Sequence, residues 1–250
     1  MGINVENLGV LREAADGGVL RKRVLPGEID GLDLHDVLLL AEQSYVSAAE
    51  PGVGRVLLFT AGSGLLEHCG ESVRIDEITL FAPRYGEPVS LSGQGPPLEL
   101  LEMDIRLQPE EVTELQDAHD TFPLHQPYST CKTYRERIKS EKTVSRTLLP
   151  EHTFPRFCVG SVETTGPDHV AAHEHAMLEQ LFFGLAGNHC VVKADAEEVL
   201  FGENDLLHIP LGSTHSVDVH EPHSLHYVWI DLFRDKRGMD WITQEHVTEE

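Results

Sequence analysis

His173, Glu174, His175 and Glu179 stand within seven residues of one another, and His215 follows some way downstream in Pro210-Leu211-Gly212-Ser213-Thr214-His215. Imidazole nitrogens and a carboxylate are the donor set for Zn, Fe, Mn, Ni or Co, with positions left over for water or substrate. Side chains at i and i+2 of a strand point to one face. His173 and His175 are therefore expected to project together, and Glu179, at i+4 from His175, shares their parity. With 15 histidines in the chain, isolated ones arise readily by chance. A His-x-His-x3-Glu before an apolar strand, answered by Pro-x-Gly-x2-His after the next acidic-led strand, does not.

These residues resemble the two motifs of the cupin superfamily, G-x5-H-x-H-x3,4-E-x6-G and G-x5-P-x-G-x2-H-x3-N. Gly166 lies one residue too far before His173, and Gly187 one too far after Glu179. Asn204 replaces the upstream glycine of the second motif, and Val219 its terminal asparagine. Asn tolerates the left-handed backbone that a tight turn requires, so the first of these changes is mild. The resemblance spans Gly166 to Val219. It implies a β-barrel holding one divalent transition metal on His173, His175, Glu179 and His215. It also implies the reactions known for such ligands: isomerases, lyases, epimerases and dioxygenases. Ureidoglycine aminohydrolases resemble the chain in size, but their motif (Glu-x-His-x3-His with a later Gln) carries different ligand types.

The elements that must position these residues read as strands. Short apolar runs separated by Gly and Pro recur in both halves. Val37–Leu40, Arg55–Phe59, Ile78–Phe81 and Leu98–Met103 are expected strands of the first half. The second half is expected to supply Thr143–Leu149, Arg156–Thr164, Leu178–Leu185, Cys190–Ala194, Glu198–Leu200, Leu206–Ile209, Ser216–Val219 and Leu225–Phe233. Val5–Ala15 and Pro109–His119 read as short helices. The fold class is all-β, with two jelly-roll (double-stranded β-helix) barrels in tandem and a few short helices. Asp76-Glu77-Ile78-Thr79-Leu80-Phe81-Ala82-Pro83 echoes Asn204-Asp205-Leu206-Leu207-His208-Ile209-Pro210, which suggests a duplicated unit. The expected division is 1–127, an arm plus a barrel without His-x-His, and 128–250, the metal-binding barrel.

A chain of 250 residues, 40% of them hydrophobic, is long enough for a substantial core. Its net charge of -23 argues against nucleic-acid partners. Six basic residues gather between Lys132 and Arg146 (Lys132, Arg135, Arg137, Lys139, Lys142, Arg146). They read as a solvated strand edge, with an anion-attracting rim beside the pocket as the sharper alternative. Cys69, Cys131, Cys158 and Cys190 have no paired spacing and read as buried thiols. With no secretory signal and no apolar run of membrane-spanning length, the expected location is cytoplasmic.

The leading expectation is a metal-dependent enzyme. It would act on a small polar or anionic metabolite, such as a sugar acid or related carboxylate, by non-redox isomerase or lyase chemistry. His169, Glu163 or His226 would carry the proton. Fe(II)-dependent dioxygenation and non-catalytic metabolite binding are the alternatives. Edge strands and the N-terminal arm make a homodimer the expected assembly.

Overall fold

Alternation of apolar and polar residues, broken by glycine-led turns, produces strands throughout the chain. The computed structural model describes residues 2–13, 18–136, 139–175, 177–245 and 248–249. Ala14, Ala15 and Gly17 of the expected arm, Arg137 of the basic run and Ala176 of the histidine motif lie outside the described residues.

The chain begins with β1 (Asn4–Asn7) and a short helix, α1 (Leu8–Glu13). There follow β2 (Val19–Val24), β3 (Leu32–Leu39), β4 (Ser44–Ser47), β5 (Val53–Ala61), β6 (Gly64–His68) and β7 (Glu71–Ile75). Next come β8 (Thr79–Ala82), β9 (Val89–Gly93), β10 (Leu98–Arg106), α2 (Pro109–Asp117) and β11 (Leu124–Pro127). The second half supplies β12 (Lys132–Glu136), β13 (Thr143–Phe154), β14 (Phe157–Thr164), β15 (Asp168–His173), β16 (Leu178–Gly184) and β17 (His189–Ala194). It ends with β18 (Glu197–Gly202), β19 (Asp205–Ile209), β20 (His215–Val219), β21 (His226–Phe233), α3 (Lys236–Glu245) and β22 (Thr248–Glu249).

The chain divides into two compact units. One is Val10–Thr130; the other joins residues up to Gly9 to those from Cys131 onward. This differs from the expected division in the arm. Val5, expected in a helix, lies on β1 opposite Leu207 of β19, so the first strand completes the C-terminal sheet. An unpaired strand edge offers free N–H and C=O groups, and β1 satisfies those of β19.

Among the described residues, the first unit has sheets ordered β11-β8-β5-β10-β3-β2 and β4-β9-β6-β7. The second has β1-β19-β16-β21-β14-β13-β12-β22 and β15-β20-β17-β18. Nine strands of each unit correspond one to one. The series β2-β3-β10-β5-β8 maps onto β13-β14-β21-β16-β19, and β4-β9-β6-β7 onto β15-β20-β17-β18. Each unit is a jelly-roll barrel with its core between its own two sheets. In the first, Val37, Phe59, Phe81 and Leu91 are buried together. In the second, Val162, Phe182, Leu207, Val217 and Tyr227 are. Each such side chain contributes roughly 1.5–3 kcal/mol by leaving water.

α2 forms where expected because Gln108 and Glu111 make a reciprocal capping box ahead of Leu115. No helix among the described residues is long and apolar enough to cross a membrane. Cys131, Cys158 and Cys190 are buried, whereas Cys69, expected buried, is exposed.

Candidate metal centre

The second barrel brings three of the expected ligands together. One ligand atom from each of His173, His175 and His215 lies within 4.8 Å of the others. His173 ends β15 and stands opposite His215, which begins β20. A register shift between Val170 and His173 turns the end of β15 toward its partner. His215 is delivered by the turn from β19, in which Ser213 N–H donates to the Pro210 carbonyl and Gly212 takes φ +74°. Asn204, at the motif's glycine position, has φ +61°, so it does adopt the left-handed conformation. Ring centroids are 4.3 Å apart for His173 and His215, 4.9 Å for His173 and His175, and 5.4 Å for His175 and His215.

The hydrogen bonds suit metal binding. His173 Nδ1 lies 2.8 Å from the Ala171 carbonyl, and His215 Nδ1 lies 3.2 Å from the Ser213 carbonyl. A carbonyl only accepts, so in both neutral rings Nδ1 carries the hydrogen and Nε2 keeps its lone pair. His215 Nε2 is buried with no hydrogen-bond partner among the described residues. Burial, reinforced by the neighbouring His173, lowers the His215 pKa to about 4, which keeps the ring neutral near pH 7. Ligands held about 2.1 Å from one ion stand about 3–4 Å apart, so small side-chain adjustments close this triad on a metal. His175 and His215 are buried, and His173 is partly exposed.

Glu179 is not part of this group. On β16, Leu178, Gln180, Phe182 and Gly184 share one face, and Phe182 belongs to the barrel core. Glu179 points to the opposite face. There it accepts from Arg234 Nη2 at 2.7 Å and pairs with His208 Nε2 at 3.2 Å. The hydrogen bond to His208, followed by that from Arg234, holds its pKa below the usual carboxylate range. The expected parity fails because β15 stops at His173 and β16 starts at Leu178, so His173 and Glu179 do not lie on one continuous strand of period two. The same motif with four intervening residues falls on Gln180. Gln180 is 7% exposed, and its Nε2 donates to Asp231 Oδ1 at 2.9 Å.

The three expected proton carriers also lie away from the core. Val170 and Val217 face inward, so their neighbours His169 and Asp218 face outward, where His169 Nδ1 meets Asp218 Oδ1 at 2.6 Å. Glu163 and His226 are cross-strand partners one residue from the inward pair Val162 and Tyr227, and therefore lie on the other face. Arg146 pairs with Glu163 at 2.8 Å. Arg146 thus belongs to that face, not to a rim of the pocket. Burial is the largest influence on His226 and lowers its pKa.

The inward face of β21 instead carries Tyr227, Trp229 and Asp231. Tyr227 packs 4.6 Å from Phe182, whose ring lies 6.1 Å from that of His215. Trp229 covers Gly160, where a Cβ would come within 2.1 Å of the indole. Asp231 and Gln180 are directly opposed on β21 and β16. Burial, with the Asp231 and Glu151 charges, pushes the Cys158 thiol well above its ordinary pKa.

A second cluster, His35, Glu102 and Asp104, lies in the first barrel, also with ligand atoms within 4.8 Å. Its carboxylates are already engaged. Arg55 reaches Asp104 at 2.6 Å and Arg21 reaches Glu102 at 2.7 Å. Tyr45 and Ser47 donate to Glu102 Oε2 at 2.9 and 2.5 Å. The position in this barrel that follows Pro83 as His215 follows Pro210 is Pro88, which has no ligand atom.

No protein-family model matches the chain, and no curated protein does. Solved structures match over nearly its whole length. A cupin 2 conserved barrel domain protein from Leptotrichia buccalis is 13% identical, with TM-score 0.65, covering 92% of this chain and 96% of that one. An IolB-like protein from Salmonella typhimurium is 14% identical, with TM-score 0.70 and coverages of 89% and 92%. An oxalate decarboxylase from Lactobacillus farciminis, in complex with formate, is 12% identical, with TM-score 0.67 and coverages of 88% and 82%. At these identities the likeness carries the fold.

Proposed function

We propose that this chain, a tandem pair of cupin barrels, is a metal-dependent enzyme whose site is the second barrel, built on His173, His175 and His215. Its substrate is a small polar or anionic metabolite, a sugar acid or related carboxylate. The reaction class is non-redox proton transfer of the isomerase or lyase type. The observation that carries this reading is the meeting of three imidazoles inside one barrel, with a buried His215 nitrogen that has no hydrogen-bond partner among the described residues. A divalent transition metal bound there would supply Lewis acidity, polarising a carbonyl or stabilising an enolate.

The chain's own residues bind and shield. Phe182 packs beside His215, Tyr227 packs on Phe182, and this aromatic pair excludes water from that side. His173, partly exposed, marks the open side through which a small molecule approaches. With His169, Glu163 and His226 turned away, Tyr227 and Asp231 are ionisable groups on the inward face. A small carboxylate fits this picture, as one solved relative is an oxalate decarboxylase held with formate. The net charge of -23 disfavours anions at long range, so their attraction must come from the metal site itself.

The test is elemental analysis of protein purified without added metal, beside His215→Ala. About one transition metal per chain is expected in the wild type and almost none in the variant. Small carboxylates and sugar acids are then screened by thermal shift and followed for turnover by NMR. A wild type that takes up no metal, or turnover that survives metal removal, contradicts the reading. Binding without turnover across the screen would make the site a sensor.

A further inference from the structure

The geometry points to Gln180, not Glu179, as the fourth metal ligand, through its amide oxygen, with Asp231 as the positioning residue that aims it. This rests on the three-histidine reading above.

Gln180 faces the barrel interior on the same side of β16 as Phe182, which packs against His215. It is held opposite Asp231 by the register of β16 and β21, and both side chains are buried. A carboxylate oxygen without a proton only accepts, so Asp231 fixes which end of the amide it receives. Nε2 donates to Asp231 at 2.9 Å, and Oε1 must point the other way. Oε1 is buried and has no hydrogen-bond partner among the described residues, as is true of His215 Nε2. An unsatisfied buried carbonyl costs about 1–3 kcal/mol. Two such atoms on the inward face of one barrel are accounted for together if a cation engages both.

The consequence is electrostatic. Three neutral imidazoles and a neutral amide leave a bound dication's charge uncompensated within its ligand shell. A carboxylate ligand would have halved it. A small anionic ligand therefore gains more at this site than at one with glutamate in the fourth position. Glu179 meanwhile serves the opposite face, with His208 and Arg234.

The experiment is Co(II) titration of the metal-stripped full chain, by calorimetry and by the visible Co(II) absorption band. Gln180→Leu should weaken Co(II) binding by about 100-fold or more and change the band, because a donor is lost. Asp231→Leu should weaken it by about 10–100-fold, the usual range for a residue that orients a ligand. Asp231→Asn still offers an acceptor oxygen and should recover most of the affinity, whereas Asp231→Leu, which fills the space without an acceptor, should not. Glu179→Gln should bind as the wild type does. If Gln180→Leu keeps wild-type affinity and spectrum, or the loss appears in Glu179→Gln instead, the inference is overturned while the three-histidine site stands. If the wild type takes up no Co(II), or His215→Ala binds as well as the wild type, the three-histidine reading fails and this inference with it. Unfolding midpoints of the metal-free variants separate folding defects from lost ligation.

Discussion

At the residue scale, the imidazoles of the second barrel are set by carbonyls. Ala171 and Ser213 each take the Nδ1 hydrogen of a neighbouring histidine, so the sequence around each ligand selects its tautomer. His215 has a measurable consequence in the metal-free protein. Its pKa falls to about 4 in the fold, whereas an unfolded histidine titrates near ~6.5. Between those values the unfolded chain binds more protons than the folded one, so stability rises with pH. Metal-free protein should therefore lose at most about 3 kcal/mol from this group as pH falls from about 6.5 to 4. Urea unfolding of wild type and His215→Phe across that range checks it; parallel pH profiles would contradict it. Gly160 supports a second prediction. A Cβ there meets the Trp229 ring at 2.1 Å and the Arg146 carbonyl at 2.6 Å. Gly160→Ala should cost about 1–3 kcal/mol by overpacking, read as a lower urea midpoint. His215 was legible because its spacing is tied to turns at Asn204 and Gly212, and His173 and His175 because they stand two residues apart. The choice between Glu179 and Gln180 was not, because β15 ends at His173 and β16 begins at Leu178, and the parity of one strand does not carry over to the next.

At the element scale, the strands most plainly legible are those with nearly continuous buried runs, namely β5, β8, β10, β16 and β21. Those that escaped are short and polar. β4 (Ser44–Ser47) and β11 (Leu124–Pro127) show few buried positions, and β15 reads as a loop leading into the motif. They are strands because a neighbour supplies the hydrogen bonds, not because their own residues demand it. β1 is the clearest case. Asn4–Asn7 pairs with β19, Asn7 Nδ2 donates to Asp205 at 2.7 Å, and the Ile3 N–H donates to Glu197 at 2.7 Å. Since β19 leads into the turn that places His215, removing residues 1–7 should loosen that strand and lower metal affinity. Hydrogen exchange at Leu206–His208 is the readout. Unchanged protection in the truncated chain would show that β1 is dispensable.

At the scale of the whole molecule, one strand order has been used twice with opposite chemistry inside. The first barrel fills its polar end with charges that satisfy each other: Arg55 with Asp104, and Arg21, Tyr45 and Ser47 with Glu102. In the second, Gln180 Oε1 and His215 Nε2 are buried with no hydrogen-bond partner among the described residues. Removing one member of a buried ionic network strands its partners, so Glu102→Ala should destabilise the first unit by about 3–5 kcal/mol. Metal content of protein that remains folded should not change. The duplication was visible in the echo between Asp76–Pro83 and Asn204–Pro210. The assignment of the first strand to the second barrel was not, since it joins segments about two hundred residues apart. The most direct test of the metal centre is X-ray absorption at the edge of whatever metal the purified protein carries. The account predicts a first shell of nitrogen and oxygen donors at about 2.1 Å, with outer-shell scattering from three imidazoles that drops to two in His173→Ala. A shell without imidazole scattering, or one unaltered by that substitution, would contradict it.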